Sequence, residues 1–220
     1  MNKTNSVLFL TAANDPWANE ATDFLRTKFE NHNIYHSDWE QKFPPKLITW
    51  EGDYIISFIS RWIVPQKVLE NAKLECLNFH PGPPEYPGIG CTNFAIYEGA
   101  SKFGVTCHRM HSKVDTGEIL RTQSFPIGSN ETIEKLHHKT RNALLDLFKD
   151  VLTQLAENKF TCTNLKTWTR KPFTRKQLDA LGQIDVSMDS SEVSRRIRAT
   201  SFKNWQPYID FHGFRFSYKP

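Results

Sequence analysis

Long apolar runs are missing from these 220 residues. None approaches the roughly 18 residues that a transmembrane helix requires, and the first apolar run, Val7-Leu8-Phe9-Leu10, is too short for a signal peptide. Cysteine is scarce: Cys76, Cys91, Cys107 and Cys162 are widely separated, with no C-x-x-C pair and no zinc-ligand spacing. Neither a disulfide framework nor a metal site is expected, and the thiols read as small apolar side chains. Glycine is absent from Leu10-Thr11-Ala12-Ala13-Asn14-Asp15, the loop after the first apolar run. The G-x-G-x-x-G fingerprint is therefore missing, as are G-x-x-x-x-G-K-[ST] and G-x-S-x-G. Nicotinamide-dependent enzymes, P-loop NTPases and α/β-hydrolases are disfavoured together.

What remains is a globular composition, 39% hydrophobic and 13% aromatic, with an uneven charge. Residues 1–160 carry 17 Lys and Arg against 19 Asp and Glu, whereas residues 161–220 carry 11 against 5. A basic tail on a neutral body suits an anionic partner such as a nucleotide, a phosphorylated substrate or RNA. A cytoplasmic location is the default expectation.

Apolar and β-branched runs at Ser6–Ala12, Asp53–Ile59, Leu74–Phe79, Val105–Met110 and Glu118–Phe125 read as strands, with a weaker one at Asn33–Tyr35. Asp15-Pro16 is a helix start followed by Ala18, Ala21, Leu25 and Phe29 at helical spacing. Pro65 opens a short helix through Leu69, and Asn93–Tyr97 reads as another. Thr132–Glu157 is one long periodic helix, and shorter ones are expected at Thr174–Leu181 and Ser190–Ala199. Tyr208–Tyr218 alternates around His212-Gly213, a hairpin signature. The expected architecture is α/β: a Rossmann-like, mainly parallel sheet with helices on both faces over residues 1–160. Residues 161–220 add a small helical region ending in a β-hairpin. An isolated hairpin is marginal, so a homodimer through the C-terminal region is expected.

Two segments carry the chemistry. Leu77-Asn78-Phe79-His80-Pro81-Gly82 ends a strand, and Asn78 and His80, two apart, point to one face. Gly104 to Gly117 runs along the next strand into a Val114-Asp115-Thr116-Gly117 turn. Taken singly, Asn78 is a turn cap, His80 a satisfied core histidine and Asp115 a turn former. Together, an amide, an imidazole and a carboxylate at neighbouring strand ends can polarise a carbonyl and move a proton.

The ordered set Asn-x-His-Pro, Pro-x-Tyr-x-Gly and Gly-Val-Thr-x-His-x-Met-x-x-x-x-Asp-x-Gly-x-Ile, over residues 53–121, resembles the formyltransferases that use 10-formyltetrahydrofolate. The resemblance implies that Asn78, His80 and Asp115 are catalytic, that 10-formyltetrahydrofolate is co-substrate and that no metal is needed. Ser60–Pro65 resembles the family segment that cradles the pterin, which implies Arg61, Trp62 and Ile63 as folate contacts, with Lys113 and Val114 as the opposite wall. Formyl transfer is attack of an amine on a formyl carbon through a tetrahedral intermediate. Asn78 can donate to the oxyanion, worth ~3–4 kcal/mol in analogous sites. His80 can take the amine proton as base or bind the oxyanion as imidazolium, and Asp115 would orient it.

The acceptor is read from the tail. Ile197–Thr200 with Trp205–Tyr208 resembles the start of the C-terminal region in methionyl-tRNA formyltransferase and in aminosugar formylases. Residues 161–220 are expected to be too few for the RNA-binding barrel of the former. The closest resemblance is to enzymes that formylate a dTDP-linked 3-amino or 4-amino deoxysugar for surface glycans such as the O-antigen of lipopolysaccharide. That implies a nucleotide-sugar substrate and neither membrane nor nucleic-acid partners. Tyr86, Arg195, Arg198, Phe202 and Trp205 are the candidate acceptor contacts. The alternatives are a methionyl-tRNA or glycinamide ribonucleotide formyltransferase, or a non-catalytic RNA-binding module.

Overall fold

A computed structural model describes residues 4–162, 166–202 and 205–219 of the chain. The all-apolar start of β1 (Val7–Ala12) is buried along its whole length, as befits a strand covered on both faces. It pairs in parallel with β2 (His32–Ser37) on one side and β3 (Gly52–Phe58) on the other. β4 (Ala72–His80) continues the parallel set, and β5 (Lys102–Arg109) and β6 (Ile119–Pro126) close the sheet antiparallel. The order is β2-β1-β3-β4-β5-β6. The expected mainly parallel α/β sheet is present. The strand expected at Val105–Met110 starts earlier and ends at Arg109, because pairing reaches back through Phe103↔Phe125 to Lys102↔Pro126. Propensity at Lys102 and Gly104 is overridden by the ladder.

One sheet face carries both long helices. Asp15 Oδ1 caps α1 (Pro16–Lys28) by accepting from the amides of Trp17 and Ala18, with Pro16 at the first helical position. Thr132 caps α4 (Ile133–Ala156), which lays Leu144, Phe148, Val151, Leu152 and Leu155 on the sheet. Phe148 is fully buried, with its ring centroid 5.0 Å from those of Phe58 and Phe79 and 5.5 Å from that of Phe9. The opposite face is covered more thinly, by a 3-10 turn at Pro45–Leu47, the four-residue α2 (Gln66–Leu69) and residues 60–65. There Leu8, Leu10 and Ile55 pack on Leu47, Trp62, Val64 and Val68.

A second apolar cluster joins α3 (Cys91–Tyr97), α5 (Arg175–Gly182) and α6 (Ser190–Thr200) to the sheet edge through Phe94, Phe103, Leu136, Leu178 and Ala199. β7 (Tyr208–Phe211) and β8 (Phe214–Ser217) form the C-terminal hairpin. Its two turn residues, His212 and Gly213, have φ of 48° and 83°, the left-handed pair that a tight hairpin demands. Among the described residues no helix is long and apolar enough to cross a membrane.

Because Phe148 links three strands to α4, Phe148→Ala is expected to cost about 3–5 kcal/mol. Urea unfolding checks this: the midpoint falls while the slope is unchanged.

Candidate active site

The carboxyl ends of β3 and β4, with the adjoining end of β5, border a cavity of about 750 Å³, within the range of small-molecule sites. Asn78 and His80 stand at the end of β4, and the ladder sets Asn78 opposite His108 on β5. Asp115 arrives from the turn after β5, in a left-handed backbone conformation (φ 47°) that Asp tolerates better than most residues. Two residues on, Gly117 passes so close beneath the carbonyl of Arg109 that any side chain there would collide with it. Trp168 Nε1 donates to the carbonyl of Gly117 at 2.7 Å, and its ring meets His80 and His108 edge-on. The turn that delivers Asp115 is thus held from two sides.

The three residues converge. His80 Nδ1 lies 3.1 Å from Asp115 Oδ2, and both side chains are almost fully buried. Gly88 N–H donates to the same Oδ2 at 2.7 Å. Asp115 Oδ1 lies 3.1 Å from His108 Nε2, which in turn lies 3.0 Å from Asn78 Nδ2. His108 Nδ1 donates to the carbonyl of Arg109 at 2.7 Å. Each Asp115 oxygen therefore has a partner, as a buried carboxylate requires.

His80 faces acceptors from both ring nitrogens. Nε2 lies 2.9 Å from the carbonyl of Tyr86, which can only accept, and Nδ1 faces the carboxylate. The ring that satisfies both is the imidazolium. Burial works against that charge most strongly, but the Asp115 carboxylate, Cys91 and the Tyr86 carbonyl together outweigh it and raise the His80 pKa to about 9. Burial likewise opposes the Asp115 charge and is outweighed by His80 and His108, so its carboxyl is held well below the usual range. Gly82 makes room: a Cβ there would come within 2.6 Å of His80 Nε2.

Arg61, Trp62, Ile63, Lys113 and Val114 line the same cavity. Trp62 Nε1 is buried without a hydrogen-bond partner. The charged lining is dominated by cations: Arg61, Lys113, Arg141 and Arg175 stand against Asp115 alone, and Asp115 is already paired.

Residues 18–152 match the family described as formyl transferase. The chain belongs to the formyl transferase family. It is 28% identical over 165 residues to methionyl-tRNA formyltransferase of Clostridioides difficile strain 630, covering 74% of this chain and 52% of that protein. The figures for the Clostridium novyi protein of the same name are 32% over 161 residues, 72% and 52%. The chain spans about half the length of these curated relatives. In structure it resembles a 4-N formyltransferase from Francisella tularensis, at 19% identity and a TM-score of 0.79, covering 97% of this chain and 96% of that one. It also resembles an N-formyltransferase from Helicobacter canadensis solved in complex with folinic acid and dTDP-3-aminofucose. There the identity is 20%, the TM-score 0.72 and the coverage 96% and 85%. At these identities the structural likeness speaks for the fold.

In this chain the other sequence candidates lie outside the cavity lining. Tyr86 is buried between Phe103 and Phe173, and it reaches the site only through its carbonyl. Arg195 pairs with Glu192 and lies over the ring of Tyr97, while Arg198 donates to the carbonyls of Ser129 and Ile96. Phe202 and Trp205 pack into the α3–α5–α6 cluster, with Phe202 tilted against His137, a cavity residue. Basic and aromatic composition does not distinguish staples of the fold from ligand contacts.

Two cavity residues, His108 and Arg141, are not among the candidates that the sequence singles out. The first stands in the quoted strand motif opposite Asn78, a relation visible only once the register is known. The second carries a legible signal: Thr140-Arg141 interrupts the apolar stripe of α4 between Leu136 and Leu144, and both residues are buried.

The His80 charge has a measurable consequence for stability. Its folded pKa stands above the ordinary 6.5, so the pair's contribution is complete below pH 6.5 and is lost as pH rises through about 9. The wild-type chain is expected to lose ~3 kcal/mol of unfolding free energy across that window. Asp115→Asn removes the dependence, and chemical denaturation of both forms at pH 6, 8 and 10 checks it.

Proposed function

We propose that this chain transfers a formyl group from 10-formyltetrahydrofolate to the amino group of a nucleotide-linked, dTDP-type aminosugar. The observation that carries the reading is the Asn78–His80–Asp115 constellation on the wall of a cavity whose charged lining is otherwise cationic. Such a lining favours a substrate bearing phosphates, and the Helicobacter canadensis relative was solved with a dTDP-sugar.

The residues present fit a folate. Ile63 is 66% exposed beside the buried, partnerless Trp62 Nε1, so an apolar flank and an open donor adjoin at one place. A flat heterocycle with hydrogen-bonding edges suits that combination. Arg61, Trp62 and Ile63 would hold it from one side, Lys113 and Val114 from the other. When bound, 10-formyltetrahydrofolate supplies the formyl carbon. Asn78 Nδ2, 3.0 Å from His108 Nε2 on the cavity wall, can donate its hydrogens to the oxygen on which charge develops. His80 acts as imidazolium, its Nε2–H turning from the Tyr86 carbonyl to donate a hydrogen bond to the reacting oxygen while Asp115 holds Nδ1; the proton that the attacking amine loses would pass to the nitrogen that gives up the formyl group. In this reading residues 1–160 form the catalytic unit and 161–220 flank the acceptor. A homodimer forms through the C-terminal hairpin, where Phe211, Phe214 and Phe216 are each more than half exposed.

A second reading, methionyl-tRNA formylation, is favoured by the names of the sequence relatives. A formylation assay separates them, using 10-formyltetrahydrofolate with a panel of dTDP- and UDP-aminosugars, initiator Met-tRNA and glycinamide ribonucleotide. Turnover of a dTDP-aminosugar is expected; turnover of tRNA alone moves the conclusion to the second reading.

Asn78→Ala is expected to lower kcat by about 10²–10³-fold with folate affinity retained, and His80→Asn to abolish turnover. Steady-state kinetics beside folate titration check both, and full activity in either variant would overturn the mechanism.

A further inference from the structure

Arg141 is a buried charge with little support among the described residues. It projects from the sheet-facing side of α4, is 8% exposed and borders the cavity. Its Nε lies 3.4 Å from His137 Nε2, a long contact, and its Nη1 has no partner. No carboxylate forms an ion pair with it among the described residues. Asp15 supplies an opposite charge from a distance, but its Oδ1 already caps α1. Burial accordingly pulls the Arg141 pKa down. A guanidinium buried with open donors is costly, and a fold retains one most readily where a ligand completes it.

The other cavity cations are placed differently. Arg61 is exposed and lies 3.8 Å above the ring of Trp39, with Arg175 over the same ring at 5.9 Å. Those two are held at the rim by an aromatic face. Arg141 has no such support: it lines the cavity with its Nη1 buried and without a partner.

We infer that Arg141 is the phosphate contact of the acceptor subsite, its guanidinium, paired with no carboxylate, donating to a phosphate oxygen of a nucleoside diphosphate group. The planar guanidinium matches phosphate geometry. This rests on the proposed function for the acceptor's identity, but not for the presence of an anion site. A folate's glutamate carboxylates share the chemistry of an anionic oxygen, and the test separates the two sources.

Isothermal titration of the full chain and of Arg141→Met with inorganic pyrophosphate, dTDP and 5-formyltetrahydrofolate decides it. The expected result is a loss of about 10- to 100-fold in affinity for pyrophosphate and for dTDP, with 5-formyltetrahydrofolate affinity unchanged. Arg141→Met also removes an unpaired buried charge, so its unfolding midpoint should equal or exceed that of the wild type. Arg141→Lys, which keeps the charge without the fork, should recover part of the affinity and serves if the Met variant does not fold. Equal dTDP affinity in wild type and variants overturns the assignment while leaving the aminosugar reading intact. Pyrophosphate binding that depends on Arg141 without any preference for dTDP supports the assignment and counts against that reading. A selective loss of 5-formyltetrahydrofolate, or no binding of either phosphate probe to the wild type, overturns it.

Discussion

The buried pair between His80 and Asp115 is the constraint around which the sheet edge is arranged. Two charges withdrawn from water are tolerable only if every remaining lone pair and proton finds a partner. The chain meets that condition with groups from three separate segments. Gly88 N–H and His108 complete the carboxylate, the Tyr86 carbonyl completes the imidazolium, and Trp168 closes the turn over both. The Pro- and Gly-rich segment after β4 has its physical reason here. It must bring the Tyr86 carbonyl and the Gly88 amide to opposite ends of one histidine–aspartate pair, and Gly82 must leave room for the ring.

Charge is distributed by the same logic at larger scale. The basic C-terminal segment is largely consumed in holding the fold together: Arg196 donates to the carbonyls of Ala180 and Gln183, and Arg198 to those of Ser129 and Ile96. Of the four cations that line the cavity, only Arg175 at the start of α5 comes from that segment; Arg61, Lys113 and Arg141 come from the β3–α2 loop, the Asp115 turn and α4. The electrostatic character of the site is thus assembled from dispersed residues, mostly outside the stretch where basic residues are densest.

Much of this architecture is legible in the order of residues. The strand runs, the Asp15-Pro16 helix start, the periodic Thr132–Glu157 helix and the His212-Gly213 hairpin depend on local chemistry, and local chemistry can be read from spacing. The convergence of Asn78, His80 and Asp115 is legible because each stands where a strand meets a turn. What spacing does not reveal is set by partners distant in sequence. Pairing with β6 decides where β5 begins, and the β4–β5 register decides that His108 bridges Asn78 and Asp115. The destination of each tail arginine depends on helix packing, which composition does not encode.

Catalysis in this mechanism stands on His80 working as a charged donor and not as a base, and one measurement addresses that directly. It is the pH profile of single-turnover formyl transfer with both substrates saturating. A donor held by Asp115 predicts a rate that is sustained through neutral pH and falls above about pH 9. A rate that keeps rising through pH 9 with no alkaline fall would contradict that role for His80.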